Sequence, residues 1–135
     1  MELLEKRKSK LKYIFETHFH ADFVSGHFDL ASVTKAKIVF GPTAEKLTDL
    51  YVAKDNEELK VGSITIRVLH TPGHTMESSC FLLIDEKGKE KAVFSGDTVF
   101  LNEVGRPDLA VSKDVTREDL AGFLYESIQT KIMKL

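Results

Sequence analysis

Short apolar runs punctuated by polar turns make up most of this chain, and helical spacing is confined to a few segments. Residues 1–10 (MELLEKRKSK) read as an amphipathic, charged helix, and 11–15 (LKYIF) as a short buried strand. A polar turn, THFHAD, follows. Residues 23–33 (FVSGHFDLASV) then place Phe23, Val24, His27, Leu30 and Ala31 at helical spacing, which predicts a helix with an apolar face. Residues 37–40 (KIVF) predict a second strand, closed by Gly41-Pro42, and 43–50 a short helix capped by Thr43. From Leu59 the pattern is β. Residues 64–70 (ITIRVLH) alternate after a Gly62-Ser63 turn and stop at Thr71-Pro72-Gly73. Residues 80–84 (CFLLI) predict a buried strand. EKGKEK, carrying Gly88, predicts a solvated hairpin turn, and 92–95 (AVFS) the returning strand, ending at Gly96-Asp97. Residues 116–135 predict a closing helix with Thr116 as cap, Glu118 and Asp119 in the first turn and Lys131 and Lys134 in the last.

The order is therefore β–turn–α–β, an antiparallel β stretch, then a helix, with no repeat and no domain boundary. A single domain over 1–135 is expected. With 135 residues, 42% apolar and 30% charged, the chain suits a globular fold. A net charge of −2 gives no basic field for nucleic acid or an anionic membrane, so neither is expected as a partner. No apolar run approaches the ~20 residues of a membrane span. The N-terminus lacks a signal-peptide apolar region, and the one cysteine, Cys80, cannot form an internal disulfide. Both features point to the reducing cytoplasm.

Three turns that follow strands carry the candidate chemistry. His18, His20 and Asp22 alternate in one turn, so in an extended segment they could converge on a transition metal. The competing reading is a helix-entry turn with Asp22 as N-cap. His74 sits in TPGHT, where glycine frees the backbone to turn the imidazole inward; the competing reading is polar surface. Asp97 sits in FSGDT and reads equally as a turn residue. Arg106 and Asp108, in the loop GRPDL, could pair and brace that loop, or be an ordinary loop ion pair. His27 is expected packed on the helix face, and His70 in a structural or outer role. Cys80 is expected to behave as a small hydrophobe in its strand.

Taken in order, THFHAD, TPGHT, GDTVF and GRPDL resemble the metallo-β-lactamase superfamily, αββα sandwiches with a metal at one edge of two sheets. Within it the chain is most similar to persulfide dioxygenases, whose bacterial members are sometimes fused to rhodanese domains. The resemblance runs from Leu11 to the last helix and implies an α/β fold of that type. It implies one iron(II) held by His18, His74 and Asp97, with positions left open for dioxygen and a persulfide sulfur. His20 and Asp22 would then orient and tune the ligands, His20 remaining an alternative direct ligand. Di-zinc members such as glyoxalase II carry a histidine directly after the motif aspartate. Phe23 stands there in this chain and cannot bind a second metal.

The family domain begins with strands ahead of the segment equivalent to Met1. It ends beyond the last helix in a strand with a further histidine. The chain therefore reads as a partial domain with exposed edges, completed by a missing segment or by a homodimer. The function implied is oxidation of a low-molecular-weight thiol persulfide, such as glutathione persulfide, by dioxygen to sulfite. The alternatives are a zinc thioester hydrolase of glyoxalase II type and a metal-binding domain without activity.

Overall fold

The computed structural model describes residues 1–20, 22–44 and 50–135. In chain order the elements are α1 (Glu2–Lys6), β1 (Tyr13–Phe15), α2 (His27–Thr34), β2 (Lys37–Phe40), β3 (Leu50–Val52), β4 (Glu58–Val61), β5 (Ile64–His70), β6 (Ser79–Ile84), β7 (Glu90–Phe94) and α3 (Arg117–Ser127), which a π-helical turn, Ile128–Ile132, extends. Strands β1, β2 and β3 form a parallel sheet, with Ile14 opposite Ile38 and Ile38 opposite Leu50. Strands β4 to β7 form an antiparallel meander, with Val68 opposite Phe81 and Leu82 opposite Val93.

Successive side chains of a strand point to opposite faces, and this sorts the core into layers. Val39 faces inward from the parallel sheet and meets Leu59, Ile66, Val68 and Phe81 of the meander, with the tilted ring of Phe15 4.9 Å from that of Phe81 between centres. Its neighbours Ile38 and Phe40 face outward, where Ala31 of α2 covers them. On the far side Leu69, Cys80, Leu82 and Ile84 face outward and receive Ile132. The layers are helix, sheet, sheet, helix. β7 is the edge of its sheet and exposed at every residue, Val93 and Phe94 included.

Several expected elements shift. The helix expected over 23–33 begins at His27, with Gly26 at its cap, and buries no residue completely. Phe23 and Val24 lie before it and are exposed. A knot of hydrogen bonds sets this start: Ser25 Oγ donates to Glu16 Oε1 (2.9 Å), and His27 Nδ1 lies 2.7 Å from Ser25 Oγ and 3.1 Å from Glu16 Oε1. His27 is thus packed, as expected, but through these polar partners.

Thr43, expected as a helix cap, has a φ of +66° and turns its hydroxyl to the Met76 carbonyl (3.0 Å). The expected helix over 43–50 otherwise lies outside the described residues, except that Leu50 opens β3, a strand the apolar pattern did not single out.

At the C-terminus the α-helix stops at Ser127. Thr116 and Asp119 form a reciprocal capping box at its start. The wide turn beyond it, with Met133 N–H bonded to the Ile128 carbonyl (2.9 Å), lays Ile132 on the sheet and brings Lys131 Nζ to Asp55 Oδ2 (2.7 Å).

Candidate metal centre

Each of the three chemistry-bearing turns leaves the end of a strand, and the sandwich brings them to one edge. β1 delivers His18, β5 leads into the turn of His74, and β7 leads to Asp97. One ligand atom from each lies within 4.8 Å of the other two. Asp97 Oδ2 is 3.5 Å from His74 Nε2 and 3.9 Å from His18 Nε2. Donors sharing one zinc- or iron-sized ion at bonds of ~2.1 Å stand ~3–3.5 Å apart; the Asp97–His74 distance already matches, and the others must shorten for the group to hold one. Among the described residues it is the one cluster of three such groups.

The His74 ring is fixed in the tautomer that ligation needs. His74 Nδ1 lies 3.0 Å from the Arg106 carbonyl, which can only accept, so Nδ1 carries the hydrogen and Nε2 presents a lone pair. His18 Nδ1 is hydrogen-bonded to Thr17 Oγ1 (3.0 Å). Both imidazoles are buried. Burial first, then the His20 and His74 rings, push the His18 imidazole below its ordinary value, outweighing the pull of Asp97 and Glu77. It is therefore held in the neutral form a ligand requires.

Packing beneath the centre explains how three turns keep register. Thr71 and Thr98, next to the His74 and Asp97 turns, share a buried hydroxyl contact of 3.0 Å, and Cys80 Sγ lies 3.4 Å from Thr71 Oγ1. Gly73, at φ +143°, presses against the Leu124 backbone, and Ser127 Oγ donates to the Pro72 carbonyl (2.9 Å). Helix α3 thereby buttresses the His74 turn. Gly105 lies so close to the Asp97 carbonyl and to His74 Cβ that no side chain fits there.

The remaining candidates take other places. His20 packs, with tilted rings, between His18 (ring centres 4.1 Å) and Phe23 (4.2 Å), outside the cluster of three. Asp22 is exposed and lines the cleft over the centre. Arg106 and Asp108 pair through two hydrogen bonds of 2.7 and 2.8 Å, and the Arg106 side chain is largely exposed. What touches the centre is the Arg106 backbone carbonyl. His70 Nε2 lies 2.9 Å from the Met76 carbonyl, a structural position. Cys80 is completely buried and its thiol is pushed up by burial, so it carries no thiolate chemistry.

The cleft has a volume of about 570 Å³. Phe19, Leu109 and Ala110 give it apolar wall; Asp22, Glu77, Asp97 and Arg106 give it charge. Glu77 was missed by the sequence reading. Its position three residues after His74, inside TPGHTMES, was the available signal.

Comparison with known proteins agrees with this architecture. Residues 1–126 match the family model described as the metallo-beta-lactamase superfamily. The probable hydroxyacylglutathione hydrolase glo2 of Schizosaccharomyces pombe is 38% identical over 78% of this chain and 40% of its own length. Among solved structures, a metallo-beta-lactamase from Staphylococcus aureus superposes with a TM-score of 0.86 at 34% identity, over 99% of this chain and 42% of that one. ETHE1 from Myxococcus xanthus superposes with a TM-score of 0.81 at 28% identity, over 99% and 53%. The chain spans about half the length of these relatives or less. Members of the family bind metal ions, zinc or iron in most cases. This chain belongs to the metallo-β-lactamase superfamily.

Proposed function

We propose that the chain holds one iron(II) through His18, His74 and Asp97 and takes part in oxidising a low-molecular-weight thiol persulfide, such as glutathione persulfide. In the overall reaction the persulfide, dioxygen and one water yield the free thiol and sulfite with two protons. Four electrons pass from sulfur to oxygen. Two histidines and one carboxylate are the donor set that suits iron(II) with open positions. Bound iron(II) supplies the place where both reactants meet.

The observation that carries this reading is Phe23. It stands where di-zinc relatives keep a ligand, and its ring rests on His20. Likeness to ETHE1, a persulfide dioxygenase, supports the same choice. The chain's own residues do the positioning. Arg106 and Thr17 hold the two rings, and the half-exposed Asp97 carboxylate faces the cleft. Phe19, Leu109 and Ala110 give the substrate an apolar wall.

A second reading, a zinc thioester hydrolase, is favoured by the likeness to glo2. Elemental analysis of protein purified without added metal, together with oxygen uptake on glutathione persulfide, separates the two. Near-stoichiometric iron and uptake, both abolished in His74→Ala, are expected. Zinc with hydrolysis of a glutathione thioester and no uptake would move the assignment to the hydrolase. Absence of any metal would sink both.

A further inference from the structure

Glu77 lines the cleft but is not one of the three clustered donors. Its carboxylate Oε1 accepts the backbone N–H of Phe19 at 2.9 Å, across 58 positions of sequence. That N–H belongs to the turn beyond β1, where no strand partner serves it, and a buried amide needs an acceptor. Two residues on, the Ser79 N–H donates to the Thr17 carbonyl (2.9 Å), and Ser79 Oγ donates to the Glu77 carbonyl (3.2 Å). Residues 17 and 19 are thus each gripped by the segment that follows the His74 turn, with His18 held between them. What this contact requires is reach: an oxygen on a side chain of this length meets the Phe19 amide whether it is charged or neutral, and one shorter by a methylene does not.

We propose that Glu77 is a positioning residue of the metal centre: its carboxylate locks the peptide next to His18, couples that turn to the turn bearing His74, and so sets the aim of the first imidazole. The inference rests on the metal centre proposed above and adds a residue outside its ligand set. A merely structural glutamate would contribute to stability without altering how a metal is held. A positioning one changes affinity and coordination geometry.

Two variants separate reach from charge. Glu77→Asp keeps the charge and withdraws the acceptor by one methylene; Glu77→Gln keeps the reach and loses the charge. Cobalt(II) serves as the probe for the full chain. Its visible absorption bands report ligand geometry, and competition with a chromophoric chelator reports affinity; circular dichroism verifies that each variant is folded. Glu77→Asp is expected to lose roughly tenfold or more in cobalt affinity with altered bands, and Glu77→Gln to stay within about threefold with bands like the parent's. Glu77→Asp behaving like the parent overturns the inference, and so does Glu77→Gln losing as much as Glu77→Asp. If the parent chain itself binds no cobalt, the metal centre fails first and the inference falls with it, an outcome distinct from the other two.

Discussion

Gly105 is the residue on which the geometry of the centre turns most sharply. The loop GRPDL reaches His74 through the Arg106 carbonyl only because its first residue lies flush against the Asp97 carbonyl and His74 Cβ. A methyl group there has backbone on one side and a ligand on the other, so the loop must move as a whole. Gly105→Ala is expected to weaken cobalt binding by roughly tenfold or more, since the hydrogen bond orienting His74 goes with the loop. Chelator competition checks it; binding equal to the parent's would show that the loop yields without disturbing the ligand. At this scale the sequence spelled out donors and little else. Metal-ligating types in turns that end strands marked out His18, His20, Asp22, His74 and Asp97 alike, and the choice of His18, His74 and Asp97 among them came from the family resemblance. Glu77 and the Arg106 carbonyl were not marked out, because what matters about them is the amide or ring each one meets across the fold. Residue type carries no trace of that meeting.

Among the elements, those written in alternation or as a continuous apolar run were legible and those fixed by partners were not. ITIRVLH and CFLLI became β5 and β6 almost at their expected bounds. Strand β3 escaped because LYV lies only three residues deep and gains its role by pairing with β2. The start of α2 moved to His27 because Glu16 and Ser25 hold it there, outweighing the apolar spacing that began at Phe23.

The last helix departed from α geometry where Ile132 and Lys131 found the sheet and Asp55. That tie gives an acid-sensitive contact. Burial raises the Asp55 carboxyl, but the Lys131 ammonium and the His70 N–H outweigh it and hold the group below its ordinary value. A carboxylate with a depressed folded pKa stabilises the native state above its unfolded value of ~4. The contribution disappears as pH falls through the lower native value. Asp55→Asn should therefore melt below the parent near neutral pH, the two converging in acid. Parallel curves across the whole range would show that Asp55 does not carry the effect.

For the molecule as a whole, the two sheets hold the site because they hold each other. Phe81 joins them, meeting Phe15 from the parallel sheet while sitting in the core with Val39 and Val68. Phe81→Ala should cost about 3–5 kcal/mol in a denaturant titration, the usual loss for a large buried aromatic. A smaller loss would mean that the sheets close over the gap. The layered arrangement followed from the family resemblance of the motifs. Alternation alone fixes which residues share a face and leaves open which faces meet. The bare outer strand β7, with Phe94 over half exposed, matches the expectation of uncovered edges.

The burial of Cys80 has a consequence for how this molecule can be watched. Cys80 belongs to the buried cluster on the outer face of the meander against which Ile132 packs; its sulfur lies 3.4 Å from Thr71 Oγ1 and 3.5 Å from the Ser95 carbonyl, and burial keeps it a thiol. An alkylating reagent cannot reach it until that face opens. Because the chain has one cysteine, each labelled molecule records one such excursion. The labelling rate under native conditions is thus a clock for the opening of the meander's outer face, read in a protein that is otherwise still folded.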